Sequence, residues 1–268
     1  MKVAFCLFGL SGDNNYKSIE SEKMNGNSID IMIHSYNSYK RYIFDYNKDV
    51  DFDIYFHTRS HENINKIVEM YNPKKYIVDD KIISITKNVS PSKQNIPFLS
   101  RHDSVNKVLS LVKDEYDYIF LCRFDLNFLK PFDFSKINLK LNQYMFAENS
   151  LKYINNEPFN LTDNKHINTD DNLIERRKLD KDDHVVDHWM IFKPENKVSI
   201  VKMGLAHSKT LLGNNFLNLS VENNFNIHHF IPYYLRNHCN GDIVHSLLNH
   251  YDTCFTRYFI IGGYNLIY

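Results

Sequence analysis

The sequence predicts an α/β fold, a single domain with a mostly parallel central sheet flanked by helices. Three observations predict it. Short apolar runs alternate with segments whose apolar positions step by three and four. The length, 268 residues, suits one large domain and strains as two small ones. With only 8 Gly and 7 Pro, no flexible linker divides the chain.

The elements follow in order. Residues 2–8 form a continuous apolar run broken by Gly9-Leu10-Ser11-Gly12-Asp13, a buried strand entering a turn. Over 28–46, Ile29, Met32, Ile33, Tyr36, Tyr39, Ile43 and Tyr46 mark one face of a helix. A strand is expected at 52–57, a helix at 62–71 that stops at Asn72-Pro73, and a short strand at 75–78. Residues 81–99 read as a surface excursion. Ser100 is placed to cap the next helix, with Asp103 three positions on and Val105, Val108, Leu109 and Val112 on one face. Residues 118–122 are apolar enough for a central strand.

Beyond that point the pattern changes. A strand is expected at 143–147, and a polar, Asn- and Asp-rich stretch without period at 149–183. Another strand is expected at 189–192, and a helix from Pro194 through Val198, Val201, Met203 and Leu205. Helical stretches are expected at 221–231 and 242–250. No internal repeat is visible.

Alternating strands and helices imply parallel pairing, and such sheets bind ligands beyond the carboxyl ends of their strands. Three strand ends carry polar residues there: 9–13, 58–61 and 123–127. They are expected to converge at one edge.

Composition narrows the function. Formal net charge is zero, which argues against a duplex nucleic-acid binder. The four cysteines, Cys6, Cys122, Cys239 and Cys254, form no zinc spacing, and Cys6 and Cys122 sit in strand-like runs as small hydrophobes. That usage points to a reducing, cytoplasmic compartment. The first apolar run is short and lacks a small-residue cleavage site, so it reads as a strand; no run approaches the ~20 residues of a membrane span. Sequons at Asn88, Asn160 and Asn218 read as coincidence in an Asn-rich chain. The aromatic load, with 18 Tyr and 19 Phe, and the apolar ending at 259–268 permit a homodimer patch.

Asp125 stands out because a carboxylate directly follows the apolar 118–122 run, and Asn127 two positions on can face the same side. Together they offer oxygen ligands to Mg²⁺ or Mn²⁺; the plainer reading is a turn cap. Arg123 pairs either with phosphate oxygens or with Asp125. Trp189, the single tryptophan, is core or a sugar-stacking platform. Gly9-Leu10-Ser11-Gly12 is not a dinucleotide fingerprint. The helix start at Ser100, with Arg101 and Lys107, suits phosphate, or else these are solvated surface charges. The 13 histidines show no zinc motif.

Five segments together resemble a known family. They are Val3-Ala4-Phe5-Cys6-Leu7-Phe8-Gly9-Leu10-Ser11-Gly12, Phe52-Asp53-Ile54-Tyr55-Phe56-His57-Thr58, Tyr71-Asn72-Pro73-Lys74-Lys75, Tyr116-Asp117-Tyr118-Ile119-Phe120-Leu121-Cys122-Arg123-Phe124-Asp125-Leu126, and Val186-Asp187-His188-Trp189-Met190-Ile191-Phe192-Lys193-Pro194. Their order and spacing over roughly the first 200 residues resemble small GT-A type glycosyltransferases of bacterial surface-polysaccharide clusters and large DNA viruses. The resemblance implies a Rossmann-like GT-A domain over 1–268, with residues 1–130 binding a UDP- or GDP-sugar and 131–268 forming the acceptor side. It implies that Phe8, Gly9, Leu10, Ser11, Gly12, Thr58, Arg59, Arg101, Lys107 and Arg123 meet the donor. It further implies that Asp125 and Asn127 hold Mn²⁺ or Mg²⁺, with Asn127 standing where the family has a second Asp. One of His207, His245 or His250 would complete the metal shell. Asp187 would be the base that deprotonates a glycan hydroxyl, with Asp182 and Asp183 as rivals. The alternative is a member of the fold that binds carbohydrate or nucleotide without turnover.

Overall fold

The computed structural model describes residues 1–9, 11, 28–80, 96–113, 115–148, 175–176, 185–211, 227–249 and 253–255. Along the chain come β1 (Lys2–Phe8), α1 (Ser28–Tyr39) continued by a π-helical turn (Lys40–Phe44), β2 (Asp51–Arg59), α2 (Ile64–Tyr71), β3 (Lys75–Asp79) and α3 (Ile96–Leu111). Then follow β4 (Tyr118–Arg123), β5 (Leu126–Phe128), β6 (Gln143–Glu148), β7 (Glu175–Arg176), β8 (Val186–Phe192), α4 (Lys197–Leu211), α5 (Ile227–Cys239), β9 (Asp242–Asn249) and β10 (Thr253–Phe255).

Eight strands form one sheet in the order β3-β2-β1-β4-β8-β6-β9-β7, and β5 pairs with β10 outside it. The β3-β2-β1-β4 half is all parallel. β8 runs antiparallel between β4 and β6, β6 and β9 are parallel, and β7 closes the edge antiparallel. The predominantly parallel α/β sheet expected from the sequence is therefore present, with an inserted antiparallel strand that the periodicity did not show.

β1 and β4 are buried on both faces, which is why they read as unbroken apolar runs. On one face, Val3, Phe5, Leu7, Phe120 and Cys122 pack with α1 and α2 residues such as Met32, Tyr39, Ile67 and Tyr71. On the other, Ala4, Cys6, Phe8, Ile119 and Leu121 pack with Val105, Val108 and Leu109 of α3 and Ile200 and Met203 of α4. Burial pushes the Cys6 and Cys122 thiols up, so both stay protonated hydrophobes. Among the described residues no helix is long and apolar enough to cross a membrane.

Helix α2 ends as expected at Asn72, which adopts the left-handed conformation (φ 41°) and donates its N–H to Val68 O at 2.9 Å. Tyr46, assigned to the buried face of α1, lies beyond the π-helical turn and is exposed.

Four expectations are corrected. Helix α3 begins at Ile96, so Ser100 lies inside it and does not cap it. Instead the Ser100 hydroxyl accepts from Arg59 Nη2 at 2.5 Å, and Asp103 pairs with Lys107 one turn on. Of the 242–250 stretch, residues 242–249 form strand β9, because pairing with β6 buries Ile243 and Val244 in a sheet and overrides the i, i+4 spacing of its apolar residues; His250 lies outside the described residues. The helix expected at 221–231 does not stop at 231: α5, Ile227–Cys239, continues through Pro232, while 221–226 lie outside the described residues. Trp189 is fully buried against Phe120 and Phe132 at 5.5 and 5.4 Å between ring centroids, so it is core and offers no sugar platform.

Candidate functional site

In the order β3-β2-β1-β4, the chain moves one way from β1 to β3 and then returns to the opposite side of β1 as β4. The carboxyl ends of β1 and β4 thus flank a topological switch point, where open α/β sheets bind ligands. Register sets Phe8 beside His57 on one side and Arg123 on the other, and Phe124 N–H reaches Phe8 O at 3.3 Å. The described residues of the three strand ends expected to converge do so, with Leu10, Gly12 and Asp13 outside the description.

Gly9 follows β1 at φ +100°, a conformation that L side chains rarely adopt. Its N–H donates to Ser104 Oγ at 3.0 Å. Ser104 Oγ lies 2.7 Å from His57 Nδ1, and His57 Nε2 lies 2.9 Å from Asp79 Oδ2. An ionised carboxylate only accepts, so Nε2 carries the proton and Nδ1 takes the Ser104 hydroxyl hydrogen. Burial lowers the His57 pKa against the opposing pull of Asp79, which keeps the ring neutral. Burial also pushes the Asp79 carboxyl up, but the hydrogen bonds from Lys107 and His57 outweigh it and hold Asp79 below the usual carboxylate range. Lys107 donates to both Asp79 and Asp103. One directional chain therefore runs from the Gly9 amide through α3 to the end of β3.

A second chain fixes Ser11. His61 Nδ1 accepts from Asn63 N–H at 3.2 Å, so Nε2 carries its proton and donates to Ser11 Oγ at 3.0 Å. The Ser11 hydroxyl in turn donates to Thr58 Oγ1 at 2.7 Å, with Ser11 and Thr58 both buried. Leu10 and Gly12 lie outside the described residues.

At the end of β4, Arg123 Nε and Nη2 donate to Asp125 Oδ1 and Oδ2 at 2.8 and 2.9 Å, a bidentate pair. Of the two roles open to Arg123, holding Asp125 is the one seen. The turn between β4 and β5 is clamped by α1: Tyr39 Oη donates to Arg123 O at 2.5 Å and accepts from Leu126 N–H at 3.2 Å. Asn127 sits half-buried in β5 between buried Leu126 and Phe128.

Asp187 is the second residue of β8, and its side chain is outside what the structure describes. The antiparallel register pairs Trp189 with Cys122, so the residues before Trp189 run past the end of β4 toward the Arg123–Asp125 turn. Asp182 and Asp183 lie outside the described residues, as do His250 and the side chain of His245. His207 is buried in α4, with Nδ1 2.7 Å from His102 Nε2 and its ring stacked on Phe230. It belongs to the packing of α3, α4 and α5.

The fit to a divalent ion differs between two places. His57, Asp79 and Asp103 offer ligand atoms within 4.8 Å of one another, but the Lys107 ammonium already bridges the two carboxylates. Asp125 and Asn127 offer one carboxylate whose charge Arg123 matches and one neutral amide, a weak donor set for a hard cation.

Lys107, expected near phosphate, is thus committed to two acids, while Arg101 lies over the Phe8 ring at 5.3 Å. Reading the sequence missed His57, Asp79, Asp103 and Ser104. His57 and Asp79 stand at the ends of β2 and β3, so the strand-end rule that selected Thr58 and Arg59 reaches them too. Starting α3 at Ser100 cast Asp103 as a capping partner, where it pairs with Lys107, and left Ser104 unremarked. No protein-family model matches the chain, and no curated protein matches it.

Proposed function

We propose that this chain is a nucleotide-sugar-dependent glycosyltransferase of GT-A type, transferring a sugar from a nucleoside-diphosphate sugar to a glycan or other hydroxyl acceptor. The observation that carries the reading is the switch point between β1 and β4. There the Gly9–Ser11 loop, the Arg123–Asp125 turn and the backbone of Asp187 share one edge of the sheet.

The donor lies across that edge, its nucleoside against the loop after β1 and its diphosphate toward Arg123. Asp187 takes the proton from the acceptor hydroxyl as that oxygen bonds to the anomeric carbon. The bond from the anomeric carbon to the phosphate oxygen breaks, and the nucleoside diphosphate leaves with the electron pair. Fixed positive charge beside the leaving group lowers the barrier by matching charge that develops there. The acceptor side belongs to residues 131–268.

The test is a screen of UDP- and GDP-sugars for donor hydrolysis or transfer, followed by Asp187→Asn. Turnover is expected to fall by about 10²–10⁴ with the protein still folded. Near wild-type turnover in Asp187→Asn overturns the base assignment. Nucleotide binding without turnover of any donor favours the second reading, a binding protein of the same fold; the already paired Asp125 is the observation on its side.

A further inference from the structure

Three metal-ligating side chains meet where β2, β3 and α3 converge. A ring nitrogen of His57, a carboxylate oxygen of Asp79 and one of Asp103 lie within 4.8 Å of one another. Nε2 is the nitrogen turned to Asp79, at 2.9 Å. The imidazole is 5% exposed, while Asp79 and Asp103 keep 28% and 33% exposure, so an ion can reach them from solvent.

Two carboxylates here share one ammonium. Lys107 Nζ sits between them, donating to Asp79 and, at 2.6 Å, to Asp103. Among the described residues no other Lys or Arg pairs with either acid. His57 is neutral, so one negative charge is left over. A divalent ion in the place of the ammonium matches both carboxylates. It also makes a bond that an ammonium cannot, to the imidazole lone pair. Lys107 has solvent to turn into, because its flexible side chain is 35% exposed. An ion with bonds of about 2.1 Å spans ligand atoms at most about 4.2 Å apart, so the set closes by less than about 1 Å.

The far side of the imidazole is already arranged for this. A metal-bound histidine gives its second ring N–H to an oxygen, which fixes the tautomer. Ser104 Oγ stands 2.7 Å from Nδ1. With an ion on Nε2, the ring proton sits on Nδ1 and points at Ser104, whose own hydrogen turns to His57 O at 3.4 Å. Oγ then accepts from both Nδ1–H and Gly9 N–H. The imidazole keeps one proton in either state, so the exchange needs no net proton transfer.

We propose that His57, Asp79 and Asp103 form a site for a divalent transition ion such as Zn²⁺, with Lys107 as the competing cation that fills it when the ion is absent. The proposal is independent of the transferase reading. One nitrogen and two carboxylates suit a transition ion better than Mg²⁺, which takes oxygen ligands. The bound ion ties β2, β3 and α3 together and, through Ser104, reaches Gly9.

The experiment is calorimetric titration of Zn²⁺, and separately of Mg²⁺, into the full chain after removal of metals with EDTA. Zn²⁺ is expected to bind and Mg²⁺ to bind at least about tenfold more weakly. Asp103→Asn and His57→Gln are each expected to weaken Zn²⁺ binding by about tenfold or more, and Lys107→Ala to strengthen it by about tenfold. If His57→Gln fails to fold, Asp103→Asn and Lys107→Ala, both on the exposed side of α3, carry the test. Zn²⁺ binding that neither of these two variants changes places the ion on other histidines or cysteines and overturns the proposal. No Zn²⁺ binding by either the wild type or Lys107→Ala overturns it, as does Mg²⁺ held as tightly as Zn²⁺.

Discussion

Ser104 shows how much one hydroxyl can organise. It accepts the Gly9 amide and gives its own hydrogen to His57. Gly9 is therefore held, through Ser104, by a neutral histidine whose other nitrogen is held by Asp79. This makes the site edge sensitive to acid. The folded state lowers the His57 pKa below its usual 6.5, so the unfolded chain binds a proton that the folded chain resists. The sign is that stability is full above pH 6.5 and declines as pH drops below it. Asp79, also held below its usual range, adds a loss in the same direction at lower pH. The melting temperature is expected to fall between about pH 7 and pH 5, and His57→Gln to flatten part of that slope. An unchanged slope in the variant would show that other groups carry it.

At the scale of elements, β1 is the hub, and its aromatic residue decides how α1 and β4 meet. Phe5 is fully buried and packs edge-on against Tyr39, Phe44, Phe52 and Phe120, with centroids 5.1 to 6.5 Å apart. Each such pair is worth about 0.5–1.5 kcal/mol beyond area burial. Phe5→Ala is expected to destabilise by about 3–5 kcal/mol in a denaturant titration, because helices on both sides limit how far the cavity can collapse. A loss within experimental error would mean that β1 is not a hub. On the other face, Gly204 brings α4 close to α3: a Cβ there would meet His102 Nδ1 at 3.1 Å. This contact, together with the buried His102–His207 pair, joins helices that are distant in sequence. Helical spacing announced α4, but nothing local announced what it touches.

For the whole molecule, one change in strand order produces the site. Had β4 extended the sheet beyond β3, the Arg123–Asp125 turn would stand far from Gly9. Placing it on the other side of β1 brings the two ends side by side. A ligand that bridges the loop after β1 and the turn after β4 binds only the folded chain, so it stabilises the whole cooperative unit. UDP or GDP at about 100 times its Kd is expected to add about 2.7 kcal/mol of stability, seen as a rise in melting temperature. No rise with either nucleotide would argue against a nucleotide site at this edge.

The first half of the fold was legible in the sequence because each of its strands is buried on both faces or bounded by a clear breaker. Apolar run, helix period and stop signals at Asn72-Pro73 are local properties, and they named β1 to β4 and the helices between them. They also placed Asp125 and Arg123 at a strand end, and Ser11 and Thr58 at the edge where they meet. Tertiary structure alone decided the partners. Arg123 turned to Asp125 because both stand on a turn that Tyr39 clamps from another helix. His57, Ser104, Asp79 and Lys107 became one chain because β2, β3 and α3 converge there. Residues 242–249 became a strand because β6 presented an open ladder to them. Hydrophobic period is carried by neighbours in sequence, so it survives without a fold. Hydrogen-bond and ion-pair partners are supplied by distant segments, so they exist only once the sheet order is set.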